Sequence, residues 1–290
     1  ESDPTGEVFT SIDALGKLIT KLLVLQEFSE IDRSEYLNII LSVISVVFAK
    51  DHEQKDTTFN ERPHFRLLSN LLYEWETLRA HNFIRINDAA TRKELSGFDT
   101  DFYNIFSTYL HSLQPIAFPG FSFAWVTLIS HRMFLPTMLR LPNKSGWKNL
   151  MLTLIDLLNF LDTYTDKSEV SNAVSVVYKG ALRVFLGISN DVPEFLIENH
   201  LELMNNLPAT YFQLKNVILS AIPKKMILPN PYDPSLTMDQ LSSCEELPSV
   251  FYDPISDSST MKKPVDNYLR IPSNSLLRTI LHGIYRTEYD

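Results

Sequence analysis

Apolar residues recur at steps of three and four along most of the chain. In the first stretch Ile12, Leu15, Leu18, Ile19, Leu22, Leu25 and Phe28 fall on one face of a helix that starts near Ser11. Asp32 and Glu35 then stand in capping-box order ahead of a nearly uninterrupted apolar run at residues 36–49. That run is long for a strand and short of the about 20 residues that cross a bilayer, so a buried helix is expected.

The same period continues downstream. Phe65, Leu68, Leu72 and Trp75 form one stripe, and Phe102, Ile105, Phe106, Tyr109 and Leu113 form another, placed behind an Asp99 cap. A helix is expected from Gly120 to Phe134, a further one from Ser145 to Leu161, and another through Val174, Val177, Ala181, Leu182 and Phe185. Asp191-Val-Pro-Glu194 and Thr210-Tyr-Phe-Gln213 read as two more capped starts, for helices ending near Asn206 and Ala221. Pro208 and Pro223 separate them, because the residue before proline avoids the α region. About nine helices joined by short breaks are too many for one four-helix bundle and suit stacked pairs. The predicted fold is therefore all-α, a HEAT-repeat-like α-solenoid of stacked antiparallel helix pairs, although no residue-level repeat is visible.

The pattern lapses after residue 231. Residues 230–260 hold six acidic side chains, seven serines and four prolines, with no Lys or Arg. The expected organisation is a helical-repeat domain at 1–231, an acidic Ser/Pro-rich extended segment at 232–272, and at 273–290 the first helix of a further, truncated unit, with Leu276, Leu277, Ile280, Leu281 and Ile284 inward. The start at Glu1, with no methionine and no basic or apolar leader, suggests a piece of a longer protein.

Composition narrows the function. A net charge of −9 argues against broad phosphate-backbone binding. Cys244 is the sole cysteine, which rules out an internal disulfide or a multi-cysteine zinc site. The seven histidines are scattered singly and the eight glycines never form a phosphate-binding loop, so no metal and no cofactor is expected. Gly120-Phe-Ser-Phe-Ala124 is one residue from a nucleophile elbow, but Pro119 precedes it and no strand feeds it, so Ser122 reads as a helix N-cap rather than a nucleophile. His131 and Arg132 sit mid-helix in this reading and have no catalytic mate. No enzyme activity is expected, and elimination leaves an interaction protein. The alternative, an RNA-binding helical-repeat module, rests on Lys224, Lys225, Lys262 and Lys263.

Four stretches carry a family resemblance: RPHFRLLSNLLYEW (62–75), LHSLQPIAFPGFSFAWVTLISHRMFLPTML (110–139), VYKGALRVFLGISNDVPEFLIENH (177–200) and LPATYFQLKNVILSAIPKKMILPNP (207–231). In this order and with these gaps they resemble the C-terminal homology domain of the large Not-one scaffold subunit of the CCR-NOT deadenylase complex. The resemblance implies a non-catalytic scaffold that docks the Not-two and Not-three/five subunits and supports mRNA deadenylation, decay and repression in cytoplasm and nucleus. It implies a domain that binds no small-molecule substrate itself, and run length and net charge add the expectation of no membrane and no direct nucleic-acid contact. Residues 236–263 match no part of that pattern. Extended partner segments dock through apolar anchors in grooves between helices, and Phe118, Phe121, Trp125, Arg132, Tyr178 and Arg183 are the expected contacts.

Overall fold

The computed structural model describes residues 5–25, 32–55, 58–80, 89–165, 171–208, 210–224, 230, 232–237 and 262–284. The chain divides into two compact units, Glu1–Gln240 and Leu241–Asp290. Helices make up all the regular structure among the described residues. The first unit holds α1 (Thr5–Leu25), α2 (Arg33–Lys55), α3 (Arg62–Ala80), α4 (Ala89–Ser112), α5 (Ser122–Ile129), α6 (Leu135–Arg140), α7 (Trp147–Thr165), α8 (Asn172–Asp191), α9 (Pro193–Asn205) and α10 (Phe212–Leu219). The second holds α11 (Lys262–Arg270) and α12 (Asn274–Ile284), packed against each other.

From α1 to α5 the helices of the first unit lean mainly on the next long helix but one, whereas α7, α8, α9 and α10 also pack on their immediate neighbours. The series α1, α3, α5, α8 and α10 is linked by successive contacts, and so is the series α2, α4, α7 and α9, with the short α6 between α4 and α7. Two stacked layers result, in the all-α solenoid arrangement that the sequence predicts. The reason lies in the width of the apolar stripes. On α3, Leu67, Leu68, Leu71, Leu72 and Trp75 are buried, a face broad enough to meet helices on both sides. On α8, Val174, Val177, Ala181, Val184, Phe185 and Ile188 do the same.

Aromatic rings fill the space between layers. Trp75 stacks on Phe102 at 4.5 Å between ring centroids, and Phe48 of α2 meets Phe118 and Phe121 edge-on at 5.0 and 4.9 Å. Gly146 fixes the approach of α6 to α7: a Cβ there would lie 2.5 Å from the Met138 carbonyl oxygen and 2.9 Å from Leu141 Cδ1.

Several predicted elements differ in place. Asp99 does not cap a helix, because α4 starts ten residues earlier at Ala89. Its carboxylate instead accepts from Trp75 Nε1 at 2.9 Å and from Arg79 Nε at 2.9 Å, tying α4 to α3. The expected Gly120–Phe134 helix stops at Ile129 and α6 begins after a turn, which puts His131 and Arg132 in that turn. Ser122 is the first residue of α5 rather than its cap, and its Oγ donates back to the Pro119 carbonyl at 2.5 Å. Asp191 closes α8, and neither α9 nor α10 has a side-chain cap: Val192 and Tyr211 occupy those positions.

The apolar run at 36–49 is helical but not buried. Leu37, Leu41 and Phe48 face the core, while Ile39, Val43, Val46 and Val47 are 47–59% exposed on the other side of α2. On α1, Ile19 and Leu23 are buried while Leu15, Leu18 and Leu25 are exposed, so the predicted face is rotated; Phe28 lies outside the described residues. Residues 262–270, expected within the extended segment, form α11. Most of the rest of that segment, residues 238–261, lies outside the described residues. In the second unit α12 starts as predicted, with Leu276 N donating to Ser273 Oγ at 3.3 Å.

Candidate protein-docking surface

Of the six expected contacts, Phe121 and Trp125 belong to the core. Both are fully buried, and Trp125 Nε1 donates to the Leu110 carbonyl at 2.7 Å. They present no surface to a partner in this structure. Phe118 is half-buried between the Phe48 and His52 rings. Tyr178 is also half-buried, stacked on Tyr211 at 5.0 Å, and its hydroxyl donates to Gln213 Oε1 at 3.0 Å. Burial raises its pKa. Arg132 and Arg183 are exposed, on the α5–α6 turn and on α8.

The structure brings Arg183 together with residues the sequence reading left out. A groove of about 350 Å³ runs between α5 and α8, lined by Phe123, Val126 and Thr127 on one side and by Val176, Val177, Lys179, Gly180 and Arg183 on the other. Val126 and Val177 are buried and form its floor, while Phe123 and Val176 stand half exposed at its sides. Gly180 permits the close approach: a Cβ at that position would meet Val126 Cγ1 at 3.2 Å. Phe123 is two residues from Trp125, about 200° around a helix, and that spacing sets it opposite the core.

A second groove, of about 320 Å³, separates α2 from α4 in the other layer. Asn38, Ser42, Ser45, Thr108 and Ser112 give it a polar lining beside Leu41, Val46, Ile105 and Tyr109. The exposed aliphatic row of α2 borders it, and the Tyr109 hydroxyl is buried without a hydrogen-bond partner. Burial raises that hydroxyl's pKa and keeps it protonated at neutral pH.

Ser122, His131 and His111 are each held by neighbouring groups. Ser122 Oγ is bonded to a backbone carbonyl. His131 Nδ1 accepts from Met133 N at 3.3 Å and Nε2 lies 3.3 Å from Ser69 Oγ; burial, with the Arg132 charge behind it, lowers its pKa. His111 Nδ1 lies 2.6 Å from Asp156 Oδ2, whose pKa burial raises while His111 pulls it down. Among the described residues no three His, Cys, Asp or Glu side chains gather as a metal site, and no helix is long and apolar enough to cross a membrane. Of the basic pairs, Lys224 Nζ donates to the Asp191 carbonyl at 2.5 Å, Lys262 and Lys263 open α11, and Lys225 lies outside the described residues.

Residues 83–290 match the family described as CCR4-Not complex component, Not1. The chain is 70% identical over 290 residues to the general negative regulator of transcription subunit 1 of Saccharomyces cerevisiae, and 27% identical over 277 residues to the CCR4-NOT transcription complex subunit let-711 of Caenorhabditis elegans. All of the chain aligns with the first and 93% with the second, yet it spans only 14% and 10% of their lengths. A solved Not1 C-terminal domain in complex with Not4 superposes with a TM-score of 0.87 at 68% identity, over 98% of this chain and 55% of that one. The NOT1 superfamily homology domain from Chaetomium thermophilum gives 0.80 at 26% identity, over 97% of this chain and 53% of that one. By its matched residues and by its fold, the chain belongs to the Not1 family of CCR4-Not complex components.

Proposed function

We propose that the chain is a non-catalytic scaffold segment that holds other CCR4-Not subunits by its helix faces, and so supports mRNA deadenylation, mRNA decay and repression in cytoplasm and nucleus. Not-two and Not-three/five are the partners that the family resemblance implies. Not4 joins them because a similar solved domain is described as its complex. The observation that carries the reading is the exposed aliphatic row Ile39, Val43, Val46 and Val47 on α2 beside the α2–α4 groove, since contiguous apolar surface on a folded chain marks an interaction site. The direct test is binding of purified Not-two, Not-three/five and Not4 C-terminal regions to the chain, alone and within its longer parent. Val43→Asp with Val47→Asp should weaken at least one partner without unfolding the chain by circular dichroism. Failure of all three to bind either form of the unmodified protein would refute the proposal.

A further inference from the structure

We infer that the α5–α8 groove selects a partner segment in which carboxylates flank apolar side chains; this rests on the docking function just proposed and names the chemistry one of its sites recognises. Two observations fix the two halves of that chemistry.

The apolar half comes from the groove itself. Val126 and Val177 give a greasy floor, and the half-exposed Phe123 and Val176 give side walls. A small ligand is held in a cavity that buries most of its surface, whereas this groove, with its sides open to solvent, fits one or two side chains of a passing segment. Gly180 sets its width by letting α8 come within van der Waals reach of Val126.

The charged half comes from α8. Lys179 and Arg183 are both exposed, both line the groove, and stand four residues apart, a spacing at which like charges on a helix repel. Their other helical neighbours at three and four residues, Ser175, Val176, Gly180, Leu182, Leu186 and Gly187, carry no acid that could relieve this. Across the groove α5 reads SFAWVTLI and has no charge at all. In a chain of net charge −9, two adjacent cations beside an apolar groove are left for an incoming carboxylate, Arg183 offering a fork and Lys179 a point charge. α5 and α8 are in contact and belong to the same unit, so the site is built by the fold of that unit alone.

The test compares the unmodified chain with Lys179→Glu/Arg183→Glu and with Lys179→Arg/Arg183→Lys, using purified Not-two, Not-three/five and Not4 C-terminal regions as probes in titration calorimetry. All substituted side chains are exposed, and circular dichroism checks that the fold is kept. For at least one probe the charge reversal should weaken binding tenfold or more, and the charge-keeping exchange should stay within about threefold. Raising salt should weaken the unmodified complex more steeply than the reversed one. Lysines placed for the acidic residues of the probe segment that the groove protects from hydrogen exchange should restore binding to the reversed chain. Probes that bind all three chains equally would overturn the groove assignment and leave the docking function standing. Probes that do not bind the unmodified chain at all would overturn both.

Discussion

Replacing Asp99 by serine separates two accounts of that residue and puts a number on the α3–α4 tie. As a helix cap Asp99 would be exchangeable with serine at almost no cost, because both residues cap well. As the acceptor between helices it is not, since serine is too short to reach the partners. Trp75 is fully buried, so losing Asp99 Oδ1 removes a 2.9 Å hydrogen bond from its indole N–H in the core, at about 1–3 kcal/mol. Arg79 keeps its bonds to Glu76, and its side chain is about one-third exposed, so the lost ion pair adds only about 0.5–1 kcal/mol. Asp99→Ser and Asp99→Ala should therefore both destabilise the chain by about 1.5–4 kcal/mol in urea unfolding, whereas Asp99→Asn, which retains an oxygen for Trp75, should cost about half as much. In a Trp75→Phe background the Asp99→Ser cost should fall to about 1 kcal/mol, the difference being the lost indole hydrogen bond. An Asp99→Ser variant within about 0.5 kcal/mol of the unmodified chain would refute the reasoning.

Three further outcomes follow from the packing. Tyr109→Phe should raise the urea midpoint, by a stability gain of about 1 kcal/mol, because the hydroxyl it deletes is buried and unpartnered; a loss of stability would show that the hydroxyl has a partner. Gly146→Ala should lower stability by about 1–3 kcal/mol, since the new methyl must push α7 off the Met138 carbonyl, and an unchanged melting temperature would contradict that contact. His131 is held below its ordinary value of 6.5 by burial first and Arg132 second, so the unfolded chain takes up its proton more readily than the folded one. Its contribution to stability is present above pH 6.5 and is lost as pH falls below it toward the folded value, and His131→Asn should flatten the stability profile in that window.

Helix type and most core stripes are legible from spacing alone, because Leu68, Leu72 and Trp75, or Leu150, Leu154 and Leu158, can be brought together on one side of a helix in only one way. Direction relative to neighbours is not. Ile39, Val43, Val46 and Val47 are as apolar as Leu37, Leu41 and Phe48, and a run apolar on both sides of its Asn38, Ser42 and Ser45 stripe does not say which side meets the core. Caps misled for a related reason: Asp99, Asp191 and Thr210 each stand in plausible order before an apolar stripe, but tertiary contacts carried α4 past the first, α8 ran up to the second, and α10 began after the third. The candidate contacts divide along the same line. Arg183 stands exposed in a groove and Tyr178 is half-buried, whereas Phe121 and Trp125 are buried, their aromatic character in the sequence suiting core as well as contact. Lys179 and Phe123 needed the partner helix to be visible before their sharing of a groove could be seen.

The linkage of alternate long helices imposes a parity rule on the first unit. Because α1, α3, α5, α8 and α10 are linked in one layer and α2, α4, α7 and α9 in the other, successive long helices of the sequence write opposite layers of the first unit. Inserting one long helix would throw everything after it onto the wrong side, exchanging the α5–α8 groove with the face that carries the α2 row. Inserting two would leave both faces intact and only lengthen the span between them. Such a ruler can be extended by pairs without redrawing what it already holds, and a scaffold that must keep several occupants at fixed separations gains most from that.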